Sequence, residues 1–161
     1  MPEVIEVRPA ALGDIGELVR LRGVMLTAMY GREPAPGQWQ EAAAKTLVRR
    51  LSDASLAAFV VDRPDQPGAL AACAVGVIED RLADPDNPGG GLGYVFNVAT
   101  DAGYRRRGYS RACLHALLDW YRQRQITTID LRATPDGEPL YRALGFRPVA
   151  APTMRLRAPA S

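Results

Sequence analysis

The apolar positions of this chain alternate between a helical period and short strand-like runs. Apolar residues three and four positions apart predict amphipathic helices over residues 15–29, 39–51 and 108–125. Apolar runs bounded by glycine, proline and polar residues predict strands around and between these helices. The predicted strands are Val4–Arg8, Leu56–Asp62, Ala69–Glu79, Leu92–Thr100, Ile126–Leu131, Phe146–Val149 and Thr153–Arg157.

Turn-forming residues set the connections between these elements. Segment 63–68, Arg-Pro-Asp-Gln-Pro-Gly, predicts a turn that joins two strands as an antiparallel hairpin. Segment 80–91 is rich in proline and glycine, and we expect it to be the most flexible loop. Thr134 is predicted to cap a short helix that begins at Pro135 and stops at Gly145.

The order of the predicted elements indicates the fold class. It runs strand, two helices, three strands, helix, strand, helix and one or two strands. This order predicts an α/β protein of the mixed α+β kind, with a mixed sheet and helices on both faces of it. The chain has 161 residues, enough for a substantial core, and contains no repeat or linker. We therefore expect a single domain over 1–161 with its core at about 4–157.

Composition and charge exclude several classes of protein. A hydrophobic fraction of 47% and a charged fraction of 24% are ordinary for a soluble globular protein. The apolar runs are too short to span a membrane and the N-terminus lacks the features of a signal peptide. We therefore expect a cytoplasmic protein without a membrane partner. The net charge of +2 is too small to imply nucleic acid as a partner.

Cysteine and histidine usage argues against a metal site. Cys73 and Cys113 lie in apolar segments, which favours buried reduced thiols. His115 is the only histidine, and no set of residues has zinc-ligand spacing. We expect no metal cofactor and no Ser-His-Asp triad.

The segment after the strand 92–100 has the features of an anion site. It carries three consecutive arginines at 105–107, then Gly108, and opens a strongly amphipathic helix. The first backbone N–H groups of a helix lack intrahelical partners, and the helix dipole adds positive charge there. Glycine permits close approach of a phosphate, and arginine adds charge-assisted donors. The alternative interpretation is a solvated basic turn.

This segment resembles the pyrophosphate loop of the GCN5-related N-acetyltransferases, which bind acetyl-coenzyme A. The family pattern is Arg/Gln-x-x-Gly-x-Gly/Ala, and Arg105, Gly108 and Ser110 occupy its fixed positions. Ser110 departs from the pattern, with weaker packing as the expected consequence. A second resemblance is Leu140-Tyr-Arg-Ala-Leu-Gly-Phe146, which matches the family element Leu-Tyr-x-x-x-Gly-Phe. The family fold implies a central, mostly antiparallel sheet flanked by helices.

The resemblance implies roles for individual residues. Tyr141 corresponds to the tyrosine that protonates the departing thiolate, although a tyrosine half-buried on a packing face is the alternative. A bulge near Asn97 would splay the strand from its parallel neighbour, and the N–H of Val98 would polarise the thioester carbonyl. Thr134 corresponds to a coenzyme A contact, although helix capping already explains it. The residues expected to bind the cofactor are Val98, Ala99, Thr100, Arg105, Arg106, Arg107, Gly108, Tyr109, Ser110, Arg111 and Thr134.

The base and the acceptor site are less defined by the sequence. Glu79, at the end of a strand, is the candidate base; a water relay and an exposed strand-end carboxylate are the alternatives. The acceptor is expected at segment 25–39 and the acidic loop 79–86, whose carboxylates favour a cationic amine, although a solvated loop is the alternative. The residues expected to contact the acceptor are Met29, Trp39 and Asn97.

The sequence therefore predicts an acetyl-coenzyme A-dependent N-acetyltransferase that acts on a small-molecule or peptide amine by direct attack. The alternative is a non-catalytic acyl-coenzyme A sensor or regulatory domain. Nucleic-acid binding through Arg105, Arg106, Arg107 and Arg111 is disfavoured because the other charges are mixed and scattered. A homodimer is left open.

Overall fold

A five-stranded sheet organises the molecule, and the computed structural model describes residues 4–160. The strands follow one another in chain order across the sheet. The strands are β1 (Arg8–Pro9), β2 (Leu56–Asp62), β3 (Leu70–Asp80), β4 (Gly91–Thr100) and β5 (Thr128–Leu131). The helices are α1 (Ile15–Tyr30), α2 (Gln38–Ser52), α3 (Tyr109–Gln123) and α4 (Glu138–Ala143), with short 3-10 turns at Leu12–Asp14 and Ala102–Tyr104.

Strand pairing gives the sheet its mixed character. The pairs β1–β2, β2–β3 and β3–β4 are antiparallel, whereas β4 and β5 are parallel. The predicted hairpin between β2 and β3 is confirmed. The predicted mixed, mostly antiparallel sheet is also confirmed.

Apolar residues cover both faces of the sheet. On one face, α1 and α2 pack Leu18, Leu21 and Leu47 against the sheet. On the other face, α3 buries Leu117 and Tyr121, both fully inaccessible to solvent. The predicted placement of helices on both faces is confirmed, and each face buries its own hydrophobic cluster.

The last two predicted strands are wrong. Segments 146–149 and 153–157 follow α4 without strand structure. Their apolar residues Val149, Met154 and Leu156 are 75%, 89% and 90% exposed. A strand needs a partner, and Pro148 and Pro152 lack the N–H that a sheet ladder requires. Apolar alternation without a neighbouring edge therefore does not produce a strand here.

Several predicted boundaries also shift. Of the predicted strand 4–8, only Arg8 pairs, together with Pro9. The last helix begins at Glu138, because residues 135–137 form a turn ahead of it. Thr134 still caps this turn, since its hydroxyl accepts a hydrogen bond from the Gly137 N–H at 3.2 Å. Its carbonyl oxygen accepts another from the Glu138 N–H at 3.0 Å.

An ion-pair network ties β1 and β2 to the start of α1. Arg8 donates to both carboxylate oxygens of Asp14, at 2.8 and 2.9 Å, and to both of Asp62, at 2.9 Å. These hydrogen bonds hold the pKa of Asp14 and of Asp62 below the usual range. A carboxylate whose pKa is depressed by folding stabilises the protein above its unfolded pKa, and this contribution is lost as the pH falls through the folded value.

Arg8→Gln is expected to lower the free energy of unfolding by about 1 kcal/mol at neutral pH. The difference from the wild type is expected to shrink as the pH falls below about 4, the pKa of an unfolded Asp, and to disappear below the lower folded values. Urea unfolding measured across this pH range checks it. Lys45→Gln is the matched control, because its pair with Glu41 is highly exposed and is expected to contribute almost nothing. If Lys45→Gln lowers the free energy of unfolding as much as Arg8→Gln or more, the stabilising role of the Arg8 network is contradicted.

Candidate active site

A bulge in β4 separates that strand from its parallel neighbour. The register with β3 moves from the Gly76–Val95 pair to the Val75–Asn97 pair, so Phe96 is the extra residue. Pairing of β4 with β5 ends at Val95, opposite Leu131. Among residues 4–160, the second half of β4, residues 96–100, therefore has no parallel partner and borders a gap in the sheet.

Tyr121 of α3 supports the sheet beside this bulge. Its hydroxyl lies 3.0 Å from the carbonyl oxygen of Val77 on β3 and 3.2 Å from that of Tyr94 on β4, and it donates toward both. Burial raises the pKa of this phenol, so it remains a neutral donor. Gly76 and Gly93 provide the space for the ring, since a Cβ at either position would lie under 3 Å from Tyr121.

A cleft of about 870 Å³ occupies the gap between β4 and the elements that follow it. Its walls come from the second half of β4, the loop before α3, the C-terminal part of α1 and the start of α4. The predicted site residues that line it are Met29, Asn97, Val98, Ala99, Thr100, Arg105, Arg106, Ser110, Thr134 and Tyr141.

The loop at one end of the cleft has an unusual backbone. Gly108, the residue before α3, has a φ of 82°, and Arg106 has a φ of 64° in the left-handed region that non-glycine residues rarely adopt. The first turn of α3 carries no acidic residue. The helix dipole at this turn and the guanidinium groups of Arg105 and Arg106 together give this end of the cleft a positive character.

Ser110 ties the loop to β4. Its hydroxyl forms a hydrogen bond with the hydroxyl of Thr100 at the end of the strand. Arg105 reaches the same place, with its Nε 3.4 Å from the Thr100 carbonyl oxygen. Weaker packing at most was expected from serine at this position, and its hydroxyl supplies a direct hydrogen bond between strand and helix.

The loop arginines point in different directions. Arg105 and Arg106 line the cleft, whereas Arg107 stacks 5.2 Å from the centre of the Tyr104 ring. The side chains of Arg107 and Arg111 are not part of the cleft lining. Tyr109 is 3% exposed and belongs to the core beneath α3. Gly108 and Tyr109 can therefore offer only their main-chain groups to a ligand.

Tyr141 stands on α4 at the other side of the cleft. Its ring packs edge-on against Phe146, with centroids 6.0 Å apart, and against Gly137. Burial raises the pKa of the phenol above its ordinary value, so the hydroxyl carries its proton at neutral pH. A protonated phenol that borders the splayed strand can donate a hydrogen bond or a proton into the cleft.

A second cavity of about 580 Å³ lies between α1, α2 and the sheet. Its walls are mostly apolar, and Trp39 is part of them. The two cavities meet at the bulge, because five residues line both. The shared residues are Arg22, Leu26, Tyr30, Phe96 and Asn97.

Polar groups at this junction lack partners. Asn97 is 3% exposed; its amide nitrogen lies 3.5 Å from the Cys73 sulfur, and its Oδ1 has no hydrogen-bond partner among residues 4–160. Nη1 of Arg22 is likewise buried and without a partner in the described part of the chain. The guanidinium lies 5.8 Å from the centre of the Phe96 ring. Unsatisfied buried polar groups are costly, so both atoms are candidates for ligand contacts.

Comparison with protein families decides the identity of the fold. Residues 25–146 match the model of the acetyltransferase (GNAT) family, which is most of the chain. The chain belongs to the GNAT acetyltransferase family. A comparison with curated proteins gave no significant sequence match.

Solved structures share the GNAT fold over nearly the full length. A predicted acetyltransferase from Clostridium acetobutylicum, solved with acetyl-CoA, has a TM-score of 0.83 at 24% identity and covers 96% of each chain. A GCN5-related N-acetyltransferase from Ralstonia eutropha JMP134 has a TM-score of 0.77 at 24% identity and covers 95% of this chain and 99% of its own. An acetyltransferase from Trypanosoma brucei has a TM-score of 0.71 at 21% identity, with 96% and 100% covered.

Glu79 lies away from both cavities of this GNAT domain. It pairs with Leu92 at the start of β4, four positions before the bulge residue Phe96. Its carboxylate accepts a hydrogen bond from Arg81 at 3.1 Å, and it is absent from both cavity linings. The acidic loop after β3 is also absent from these linings, so the carboxylates expected to favour a cationic acceptor do not face the cavities.

Sequence reasoning missed several residues that line the cavities of the GNAT domain. Arg132 and Arg155 add positive charge to the larger cleft, and Asp136 adds a carboxylate. Arg22 has a visible signal, because it lies between Leu18 and Leu26 at helical spacing on the face of α1 that packs on the sheet. A charged residue within an apolar stripe is unusual, and it marks the junction of the cavities.

Cysteine chemistry has no part in this arrangement. Cys73 and Cys113 are both buried and free. Burial raises the pKa of Cys73 to about 12 and raises the pKa of Cys113 as well. Both thiols therefore stay protonated at neutral pH, and neither is an activated nucleophile.

Over residues 4–160, no helix is both long and apolar enough to cross a membrane.

Proposed function

We propose that this GNAT protein transfers an acetyl group from acetyl-coenzyme A to an amine by direct attack in a ternary complex. The observation that carries the proposal is the gap where β4 leaves β5 at the Phe96 bulge. A cationic loop lies at one end of this gap, and Tyr141 borders it. An extended cofactor with a diphosphate and a thioester fits such a cleft in charge and shape.

The cofactor is held mainly by backbone groups and arginines. The diphosphate binds the first N–H groups of α3, from Gly108 to Arg111, where the helix dipole favours an anion. Arg105 and Arg106 provide charge-assisted hydrogen bonds to the same phosphates. The pantetheine arm follows residues Val98, Ala99 and Thr100 along the unpaired edge of β4. Thr134 borders this path, although its hydroxyl already bonds the Gly137 N–H.

The acetyl transfer follows from this placement. The neutral amine nitrogen forms a bond to the thioester carbonyl carbon, and the main-chain N–H of Val98 stabilises the resulting oxyanion, a contribution of about 3 kcal/mol for such a donor. The carbon–sulfur bond then breaks, and the acetylated amine loses a proton to solvent. Tyr141 donates to the departing thiolate.

The pKa values constrain the role of Tyr141. Full proton transfer from an ordinary phenol to a thiolate is uphill by about 2 kcal/mol in water. Burial raises the pKa of Tyr141, which increases this difference. A hydrogen bond from the phenol to the developing thiolate therefore accounts for its action better than complete transfer.

Water is the better proton acceptor for the amine in this scheme. A lysine-like ammonium costs about 4.6 kcal/mol to deprotonate at neutral pH. Glu79 lies outside both cavities and is engaged with Arg81, so it is poorly placed to act as base. A water relay from the cleft to solvent supplies the same step.

Two measurements test the proposal. Calorimetry is expected to show one acetyl-coenzyme A site per chain, and free thiol is expected to appear when a panel of primary amines is added. Cofactor binding without thiol release would favour the alternative of a sensor or regulatory domain. Absence of both binding and thiol release would contradict the proposal as a whole.

Gly108→Ala is expected to weaken acetyl-coenzyme A binding by about 10-fold. An alanine at a φ of 82° carries strain of about 1–2 kcal/mol, and relief of that strain reorients the amides at the start of α3. Of the residues that the structure describes, the new Cβ would meet Ile5 alone, at 3.5 Å, so the effect comes from the backbone conformation and not from a clash with a neighbour. Gly103→Ala is the control, since nothing lies within 4 Å of its Cβ position and its φ is not positive. Calorimetry measures the acetyl-coenzyme A dissociation constants of both variants. Equal dissociation constants would contradict a role of the loop before α3 in cofactor binding.

A further inference from the structure

The lining of the smaller cavity favours an acceptor that carries an anionic group. The sequence alone had predicted a cationic acceptor. Arg22 is the one charged side chain in the cavity lining, as far as residues 4–160 are described. Carboxylates are missing from that lining within the same range. A buried guanidinium atom without a counter-charge favours an anionic group on the ligand.

The two unpaired atoms at the junction are complementary to one small head group. Within the described residues, Nη1 of Arg22 is a donor without an acceptor, and Oδ1 of Asn97 is an acceptor without a donor. A carboxylate would satisfy the first and an amine N–H the second. Because both residues line both cavities, this head group lies where the cleft for the thioester begins.

The rest of the cavity accommodates an apolar side chain. Beyond the junction its walls include Leu18, Leu47 and Trp39, with Ala42 and Ala43 of α2. The indole N–H of Trp39 donates to the Ala35 carbonyl oxygen at 2.8 Å, which fixes the ring. A volume of about 580 Å³ exceeds what a carboxylate and an amine need, and it lies within the ordinary range for small-molecule pockets.

We infer that the acceptor is a free apolar α-amino acid, whose carboxylate binds Arg22 and whose amine donates to Asn97. This inference rests on the proposed function and deepens it by naming the substrate class. The apolar side chain fills the cavity between α1 and α2. The carboxylate holds the amine at the junction, where the neutral nitrogen attacks the thioester carbonyl and the thiolate leaves.

The test compares matched acceptors at saturating acetyl-coenzyme A. The panel contains leucine, methionine and phenylalanine, each with its amide and its decarboxylated amine. For at least one of the three side chains, kcat/KM for the free acid is expected to exceed kcat/KM for its amide and for its decarboxylated amine by about 30-fold. This is the effect of about one charge-assisted hydrogen bond. The amide also stands for a peptide N-terminus, so a preference for the amide would overturn the inference in favour of a peptide acceptor.

Variants of Arg22 separate recognition from structure. Arg22→Gln is expected to lower kcat/KM for the acid by about 30-fold more than for the amide or the amine, and Arg22→Lys is expected to restore part of that difference. Arg49→Gln is the matched control, because Arg49 is exposed on α2 and lines neither cavity. Equal losses on acid, amide and amine would assign Arg22 a structural role and overturn the inference.

A binding measurement distinguishes failure of this inference from failure of the proposed function. Calorimetry with phenylalanine and the coenzyme A complex is expected to show binding that Arg22→Gln weakens by about 30-fold. Tight acetyl-coenzyme A binding with no binding or turnover of any free acid would overturn the amino-acid acceptor alone. Absence of acetyl-coenzyme A binding would instead overturn the proposed function.

Discussion

Tyr141→Phe is expected to lower kcat by about 100-fold and to change the dissociation constant of acetyl-coenzyme A by less than about 2-fold. The ring keeps its contacts with Phe146 and Gly137, so the variant removes only the hydroxyl of a residue that lines the cleft. Without that donor, the thiolate leaves with no hydrogen bond to stabilise it. Steady-state thiol release and calorimetry on the same preparation measure the two quantities.

Tyr104→Phe is the control for this loss. The Tyr104 hydroxyl bonds Asp65 on the surface and is not part of the cleft, so kcat is expected to stay within about 2-fold of the wild type. A Tyr141→Phe enzyme with wild-type kcat would show that the leaving group is protonated by solvent. A large increase in the cofactor dissociation constant would instead make Tyr141 a binding residue.

Gly76→Ala is expected to lower the free energy of unfolding by about 3 kcal/mol. Its Cβ would lie 2.2 Å from the Tyr121 hydroxyl oxygen and 3.1 Å from Leu117 Cδ2. Tyr121 must move, and the hydrogen bonds to the Val77 and Tyr94 carbonyl oxygens are then lost in a buried site. Denaturant unfolding measures the change, and acetyl-coenzyme A affinity is expected to fall with it because the bulge lies beside these carbonyls.

Gly23→Ala is the matched glycine substitution. Gly23 lies inside α1 with nothing within 4 Å of its Cβ position, so alanine is expected to stabilise the protein by roughly 0.5–1 kcal/mol. In a Tyr121→Phe background, the closest atom is gone and Gly76→Ala is expected to cost less than in the wild type. Equal costs in the two backgrounds would contradict the steric explanation.

The helices and central strands could be predicted because each buries an apolar stripe of its own. The stripe Leu114, Leu117 and Tyr121 of α3 is explicit in the sequence, and it packs on the sheet as its spacing indicates. The two predicted C-terminal strands were wrong, because alternation of apolar and polar residues describes a single strand and does not show whether another strand lies beside it. Met154 and Leu156 alternate correctly and remain exposed.

The part of the candidate site that depends on backbone chemistry could be proposed from the sequence. Gly108 before an amphipathic helix indicates an anion-binding helix start, and the structure gives it a left-handed φ. The sequence could not show which of the three consecutive arginines line the cleft, because successive side chains of an irregular loop point in different directions. Arg106 lines the cleft, and Arg107 packs on Tyr104 instead.

Positions along paired strands were the main source of error. Glu79 belongs to the strand beside β4, as predicted, and its register partner Leu92 lies near the start of β4, away from the cavities. The bulge at Phe96 lies next to Asn97, where the family resemblance implied one, and it shifts the register by one. The polar junction at Arg22 and Asn97 depends on two elements meeting, so neither residue alone identified it.

The most direct measurement is residue-resolved amide hydrogen exchange with and without acetyl-coenzyme A. If the thioester lies along the splayed half of β4 and the diphosphate caps α3, exchange slows at residues 96–100 and 106–111 and stays unchanged in the exposed half of α2. Unchanged exchange in both segments at saturating cofactor, or protection confined to other elements, would contradict the coenzyme site assigned to this cleft.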